Sequence, residues 1–254
     1  QWEKDVHGYS VKREWLRVTP GVVPAINWFL QSMTAPGDEV LVLTPVYYPF
    51  MDAVKNNERK LVCCDLAAQD GTYAIDFASL EETLRTHHIK AFVFSSPHNP
   101  VGRVWTREEL KKLFDLMRRY GVFVISDEIH QDIVNPALGR KKVTTATVGD
   151  YEDGIITMAA ASKTFNLAAV QNSFIIIPNP QMRESFSTFL AQMALDDVNG
   201  FGHIATEAAL RGGAAWPEEV LQQIYGNFAY LKQRLAADCP EIKLTELEGT
   251  YLAW

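Results

Sequence analysis

The sequence predicts an α/β protein whose mostly parallel sheet is covered by helices on both faces. Short apolar runs alternate along the chain with helical patterns, and no repeat or low-complexity linker interrupts them. The runs are continuously apolar, which is typical of strands buried on both faces of a sheet. With 254 residues, 47% of them apolar and 22% charged, the chain is long enough to bury a large core.

Six of the apolar runs read as strands. They are VLVLTP at 40–45, KLVCCDL at 60–66, KAFVFSSP at 90–97, VFVISDE at 122–128, GIITMAAAS at 154–162 and SFIIIPN at 173–179. Helical patterns lie between several of them, as the crossover connections of a parallel sheet require. Continuously apolar strands joined by helices therefore indicate a mostly parallel sheet covered on both faces.

The helix with the strongest local signals is predicted at residues 106–120. Thr106 and Glu109 have the spacing of a capping box, and Gly121 supplies a stop. Its apolar face comprises Leu110, Leu113, Phe114 and Met117. This helix leads directly into the strand predicted at 122–128.

Charge and cysteine content argue against several classes of function. A net charge of −7 and a pI near 5.4 offer no basic stripe, so we expect no nucleic acid and no anionic membrane surface as partner. Cys63, Cys64 and Cys239 give neither an even disulfide framework nor a metal-ligand spacing, so we expect no metal site and a reducing compartment. The sequence shows no membrane-spanning apolar run and no leader, and we expect a cytoplasmic protein.

Polar residues follow four of the predicted strands at their carboxyl ends. Tyr47, Asn99, Asp127 and Lys163 each come directly after a different strand. Ligands of such sheets bind beyond the carboxyl ends of the strands. We therefore expect an aromatic ring, an amide, a carboxylate and an amine at one edge of the sheet.

Pyridoxal 5′-phosphate is a small molecule that uses all four groups. It needs an amine for its aldehyde, an anion beside its pyridine nitrogen, a donor for its phenolic oxygen and a flat group against its ring. A phosphate cradle is predicted at RVTPGVVPAINWFL, 17–30, where Gly21 opens a helix whose free N–H groups belong to Val22 and Val23. The sequence therefore predicts a pyridoxal phosphate site.

Each of these residues also has an ordinary structural interpretation. Most lysines point into water, the segment 95–102 fits a turn-rich loop, and Asp127 fits a helix cap. Tyr47 fits a core or rim position. A plain α/β domain without this chemistry is thus an alternative, but unrelated solvated residues have no reason to converge on four strands.

Six segments of the sequence resemble the fold-type I aminotransferase superfamily, and within it the cystathionine β-lyase branch of bacterial C–S lyases. They are VTPGVVPAI at 18–26, TPVYYPF at 44–50, SSPHNPVGRVWTREEL at 95–110, SDEIHQD at 126–132, SKTFNLAAVQ at 162–171 and GTYLAW at 249–254. The resemblance extends over essentially the whole chain. It implies the large domain of an aspartate-aminotransferase-like, pyridoxal-phosphate-dependent transferase with a truncated small domain.

The resemblance also implies roles for single residues. Lys163 would form the Schiff base with the cofactor, Asp127 would pair with the pyridine nitrogen and Asn99 would hold the phenolic oxygen. Tyr47 would stack on the ring, and the Asn99–Pro100 bond is a candidate cis peptide. The phosphate-binding residues would be Gly21, Val22 and Val23, with Ser162 as the nearest hydroxyl. For His130 the resemblance allows two roles, direct contact with the cofactor or packing behind it.

Two positions depart from the general aminotransferase pattern. General aminotransferases carry a phosphate-binding arginine at the position of Gln171. The resemblance implies that the lyase branch lacks this arginine, so glutamine is expected here. Ala160 stands where many relatives have a phosphate-binding serine. We therefore expect the phosphate cradle to rely on backbone N–H groups more than on charge.

The organisation implied by the resemblance is a cofactor domain at 1–215, lacking its N-terminal part, and an incomplete C-terminal domain at 216–254. A connecting helix is predicted from Pro217 to about Ala237, with an apolar stripe of Leu221, Ile224, Phe228, Leu231 and Leu235. GTYLAW reads as an exposed strand-like run. The substrate-carboxylate arginine and the dimer-completing segment would lie outside residues 1–254, so we expect a homodimeric full-length protein and little catalysis by this piece alone.

The function implied is a pyridoxal-phosphate-dependent β-lyase in amino-acid metabolism. It would release a thiol, pyruvate and ammonia from cystathionine or another S-substituted cysteine, with the freed Lys163 amine taking the Cα proton. An aminotransferase on the same scaffold is the first alternative, because the first chemical steps are shared. A non-catalytic, pyridoxal-phosphate-binding regulatory module is an alternative of another class.

Overall fold

The protein is built around a seven-stranded, mostly parallel sheet. The computed structural model describes residues 1–197 and 199–254. The strands are β1 (Leu16–Thr19), β2 (Glu39–Thr44), β3 (Lys60–Asp65), β4 (Ala67–Gln69), β5 (Thr72–Ala74), β6 (Ile89–Ser95), β7 (Phe123–Asp127), β8 (Ile155–Ala159) and β9 (Ser173–Ile176). Their order in the large sheet is β1-β9-β8-β7-β6-β2-β3, and β4 pairs with β5 in a separate two-stranded sheet.

The predicted α/β class and the six predicted strands are confirmed. Strands β3, β2, β6, β7 and β8 pair in parallel, whereas β9 lies antiparallel between β8 and β1. The run predicted at 154–162 ends earlier, at Ala159, because a short helix begins at Ala161. Strands β1, β4 and β5 were not predicted; they have three or four residues each and expose much of their length.

Helices cover both faces of the large sheet. They are α1 (Trp2–His7), α2 (Val22–Met33), α3 (Tyr48–Asn56), α4 (Phe77–Thr86), α5 (Arg107–Arg119), α6 (Ala161–Thr164), α7 (Pro180–Gln192), α8 (Gly200–Gly212) and α9 (Trp216–Asp238). One core lies between the sheet and α4 and α5, and the other lies between the sheet and α2, α3 and α7.

Strand β2 shows why the strands read as continuously apolar. Leu41 and Leu43 point into the first core, and Val40 and Val42 point into the second. Successive side chains of a strand alternate between the two faces, so both faces must be apolar when both are covered.

The capping box predicted for α5 is present. The Glu109 N–H donates to Thr106 Oγ1 at 3.1 Å, and the Thr106 N–H donates to Glu109 Oε2 at 2.7 Å. Gly121 follows the helix with a φ of 68°, a left-handed conformation that suits glycine. This helix therefore delivers the chain into β7, which carries Asp127 at its end.

The predicted helix after residue 216 is α9, and it is only partly packed. Leu221, Ile224, Phe228 and Leu235 of its apolar stripe are half-buried, and Leu231 is exposed. Among the helices of residues 1–197 and 199–254, none has the length and hydropathy to cross a membrane.

The strand predicted for GTYLAW is wrong. The segment forms an isolated bridge between Gly249 and Val134 and continues as irregular chain. Thr250 is fully buried, and its N–H donates to the carbonyl of Ile133 at 2.9 Å. The segment hydrogen-bonds to loops rather than to a sheet edge. An apolar strand pattern does not predict contacts of this kind.

Candidate active site

The carboxyl ends of the parallel strands open onto a cavity of about 390 Å³. Strands β2, β6, β7 and β8 contribute through their ends and the loops or helices that follow them, as expected for an α/β sheet. Every residue that the sequence analysis selected as a cofactor ligand lines this cavity: Gly21, Val22, Val23, Tyr47, Asn99, Asp127, His130, Ser162 and Lys163. Gln171 and Tyr251 line it as well.

Asp127 is a buried carboxyl at the end of β7. It is 7% exposed, and its Oδ1 accepts a hydrogen bond from the Ile129 N–H at 3.0 Å. Burial raises the pKa of Asp127 to about 7, although this hydrogen bond and the Lys163 ammonium both act to lower it. Within the part of the chain that the structure describes, no lysine or arginine forms an ion pair with Asp127. The carboxyl is thus placed to receive a cationic group from the cavity.

The pH dependence of stability in the cofactor-free protein should report this carboxyl. Its pKa rises from 3.8 to about 7 in the folded protein, so the folded state binds the proton more tightly than the unfolded chain. The free energy of unfolding therefore falls as pH rises through this window, by on the order of 4 kcal/mol relative to Asp127→Asn. Urea unfolding of both proteins across the window checks this, and parallel pH profiles would contradict it.

Lys163 lies on the four-residue helix α6, directly after the buried end of β8. Ala160 and Ala161 before it are 4% and 3% exposed. Its Nζ lies 5.9 Å from the ring centroid of Tyr251, over the face of the ring. The nearest acidic residue in sequence is Asp153, ten positions earlier, and the Lys163 ammonium acts in space on the Asp127 carboxyl, whose pKa it lowers.

The N-terminus of α2 points free N–H groups at the cavity. The Ala25 N–H bonds to the carbonyl of Gly21 at 3.2 Å, and Pro24 has no N–H. Within the described residues, the N–H groups of Val22 and Val23 have no backbone partner. An N-terminus of this kind attracts anions by its dipole and by these donors.

Tyr47 and Asn99 are held beside each other by the backbone. The Tyr47 N–H donates to the carbonyl of Asn99 at 3.0 Å, so the loops after β2 and β6 form one wall. The Tyr47 ring packs edge-on against Phe50, with centroids 5.8 Å apart. Burial raises the pKa of Tyr47, and the Lys163 ammonium opposes that shift. The Asn99–Pro100 peptide is cis, as expected.

His130 forms part of the cavity wall as a neutral ring. Burial, together with the nearby Lys163 ammonium, lowers its pKa to about 3. Its ring meets the Tyr251 ring edge-on, with centroids 5.3 Å apart, and its Nδ1 is buried without a hydrogen-bond partner. The structure thus shows His130 both lining the cavity and packing against Tyr251.

Tyr251 is the main cavity residue that sequence reasoning missed. It reaches the cavity because the segment before it is clamped to the Asn99 loop and the loop after β7. The Gly249 N–H donates to the Gly102 carbonyl at 2.8 Å, and Glu248 Oε2 accepts from the Val104 N–H at 2.8 Å. The only local signal was an aromatic residue after two small ones.

Gly249→Ala should displace this clamp. A Cβ at residue 249 would lie 2.7 Å from Val104 Cγ2 and 2.9 Å from Pro97 Cβ, so the segment must move. We expect the free energy of unfolding to fall by about 1–3 kcal/mol, as for other overpacked sites, measured by urea denaturation. The matched control is Gly226→Ala on α9, where a Cβ meets no atom within 4 Å and should be neutral or stabilising. Equal stability of the two variants would refute the clamp.

The chain matches known proteins along its whole length. The family described as "Aminotransferase class I and II" matches residues 2–254. Cystathionine beta-lyase PatB of Bacillus subtilis is 40% identical over 254 residues, which are 100% of this chain and 65% of that protein.

Solved structures agree with the family match. Cystalysin from Treponema denticola, which contains a pyridoxal 5′-phosphate cofactor, superposes with a TM-score of 0.94 at 39% identity, over 100% of this chain and 64% of its own. The pyridoxal-phosphate-bound C–S lyase from Staphylococcus hominis has a TM-score of 0.94 at 35% identity, over 100% of this chain and 63% of its own. The chain therefore spans slightly less than two thirds of the length of these relatives. The resemblance that the sequence motifs indicated is confirmed, and the chain belongs to the aminotransferase class I and II family.

Proposed function

We propose that these residues are the cofactor-binding part of a pyridoxal-phosphate-dependent β-lyase that cleaves cystathionine or related S-substituted cysteines. The observation that carries the proposal is the convergence of Lys163, Asp127, Asn99 and Tyr47 on one cavity, beside the N-terminus of α2. The lyase names of the relatives support the reaction class. Because the chain covers 65% of PatB, the activity is proposed for the full-length protein.

The residues present fit the cofactor. Asp127 is a buried carboxyl with a raised pKa, and among the described residues no lysine or arginine forms an ion pair with it. A protonated pyridine nitrogen beside it would supply that partner. The free N–H groups of Val22 and Val23 suit a phosphate dianion, and Ser162 offers a hydroxyl. The Tyr47 ring and the Asn99 amide supply the flat surface and the donor.

Bound pyridoxal phosphate supplies an aldehyde for amine exchange and a ring that accepts the electron pair left at the substrate Cα. The amine of Lys163 would hold the cofactor and would accept the proton from the substrate Cα. Asp127 would keep the ring nitrogen protonated. Asn99 binds the phenolic oxygen, and His130, as a neutral ring, adds no second positive charge near Lys163.

Gln171 favours the lyase over an aminotransferase. It lines the cavity in a left-handed conformation with a φ of 47°, at the position where general aminotransferases carry arginine. Apart from Lys163, the described residues that line the cavity include no lysine or arginine. This supports a cradle of backbone donors, as the lyase branch implies. The aminotransferase stays the second candidate because the family name covers it.

We further propose that residues 1–215 belong to the cofactor domain, that 216–254 begin a second domain, and that the full-length protein is a cytoplasmic homodimer. The division is supported by α9, of which no described residue is buried.

The two candidate reactions differ in their products. The lyase converts cystathionine and water to homocysteine, pyruvate and ammonia. An aminotransferase instead needs a keto acid to return its cofactor to the aldehyde form. The full-length protein loaded with pyridoxal phosphate should release pyruvate from cystathionine without any keto acid. A coupled lactate dehydrogenase assay measures the pyruvate. Amino transfer that strictly requires a keto acid would favour the second candidate. Cofactor binding without either product would indicate the regulatory module.

A further inference from the structure

A buried carboxylate lies behind the turn that carries Lys163, outside the cavity described above. The side chain of Asp132 is 8% exposed, and its Oδ2 accepts a hydrogen bond from Thr164 Oγ1 at 2.6 Å. Its Oδ1 accepts from Trp2 Nε1 at 3.1 Å and lies 2.8 Å from His7 Nε2. Asp132 thus ties α1 to the residue that follows Lys163.

Helix α6 depends on such anchors. It has four residues, closed by a bond from the Phe165 N–H to the Ala161 carbonyl at 2.9 Å, and one isolated turn is not stable alone. Thr164 is held at two atoms, because its carbonyl also accepts from Trp216 Nε1 at 3.0 Å. Consecutive helical side chains diverge by about 100°, which lets Lys163 face the cavity while Thr164 faces Asp132.

Asp132 stands on the same short loop as Asp127. The loop is closed by backbone bonds from the Glu128 N–H to the Met158 carbonyl at 2.8 Å and from the Gln131 N–H to the Glu128 carbonyl at 2.9 Å. The end of β7 and the loop that follows it therefore carry both the carboxyl that faces the cavity and the carboxylate that contacts the Lys163 turn.

We propose that Asp132 is a positioning residue, which acts through Thr164 to fix the Lys163 amine relative to Asp127. The inference rests on the proposed function and deepens it, since it concerns how the cofactor-linking amine is placed. Trp2 and His7 contact Oδ1 of the carboxylate, whereas Thr164 donates to Oδ2, so the two sets of contacts can be removed separately. Loss of the Thr164 bond should therefore affect Lys163 more than loss of the Trp2 bond does.

Two variants separate positioning from general stability. Thr164→Val removes the hydroxyl that contacts Asp132 and keeps the shape of the side chain. Trp2→Phe removes a different donor from the same carboxylate and keeps an aromatic ring near Phe165, whose centroid lies 5.6 Å from that of Trp2. Thr164→Ser keeps the hydroxyl and is the conservative control. Asp132→Asn changes the other partner of the Thr164–Asp132 hydrogen bond, because an amide offers the three donors one acceptor oxygen where the carboxylate offers two.

The readout is the rate at which pyridoxal phosphate attaches to Lys163, with aliquots trapped by borohydride and the Lys163 peptide quantified by mass. We expect Thr164→Val to slow attachment about three- to tenfold, Asp132→Asn to slow it in the same direction, and Thr164→Ser and Trp2→Phe to stay within about twofold of wild type. Urea midpoints should fall similarly for Thr164→Val and Trp2→Phe. Wild-type rates in Thr164→Val and Asp132→Asn, or equal slowing in Trp2→Phe, would overturn the positioning role. Absence of a Lys163 adduct in wild type would instead overturn the proposed function.

Discussion

Lys163→Ala lowers kcat/KM for pyruvate release from cystathionine by at least about 10⁴-fold in the full-length protein, since it removes both the covalent attachment point and the base. Lys163 is the only lysine or arginine among the described residues that line the cavity, so no neighbouring amine can replace it. Steady-state kinetics with a coupled pyruvate assay measure the loss.

The control for this substitution is Lys111→Ala. Lys111 lies on α5, where its side chain is 60% exposed and pairs with Asp115. Lys111→Ala therefore removes a lysine at small cost to the free energy of unfolding and should leave kcat/KM unchanged. If Lys163→Ala retained activity within tenfold of this control, Lys163 would not be the reacting amine.

Asp127→Asn is expected to lower kcat/KM by about 10²–10³-fold, the range for losing one preorganised electrostatic contact. An amide in place of the carboxyl can still accept from the Ile129 N–H, so the loop should keep its shape. It cannot hold a proton on the pyridine nitrogen, and the ring then accepts electrons less well. The same assay, with cofactor affinity measured separately, checks this result.

Asp127→Glu distinguishes charge from position at this site. It keeps the negative charge but moves it by one methylene in a closely packed pocket, so we expect activity between that of wild type and Asp127→Asn. Wild-type kcat/KM in Asp127→Asn would show that the carboxyl does not govern the chemistry.

The cavity residues that lie at or just after strand ends could be predicted from the sequence. Tyr47, Asn99 and Asp127 follow β2, β6 and β7, and parallel pairing of these strands brings their carboxyl ends together. Lys163 follows β8, the next parallel strand. Continuous apolar runs and one capping box were enough to place these elements, because burial on both faces leaves few alternatives.

Tyr251 and Asp132 were not predictable in the same way. Tyr251 follows α9 on irregular chain, and contacts with Gly102 and Ile133, distant in sequence, decide where it lies. Asp132 looks like a solvated loop acid until Trp2 and Thr164 are seen to converge on it. Neither contact leaves a periodic pattern, so local propensity does not reveal it.

The identity of the lysine that binds the cofactor decides whether Lys163 is the reacting amine. The full-length protein is mixed with pyridoxal phosphate, reduced with borohydride and digested, and the adduct is located by peptide mass. We expect the adduct on Lys163, with a visible absorption band that survives dialysis before reduction and is lost after it. An adduct spread over exposed lysines such as Lys111, or no adduct at all, would contradict this assignment.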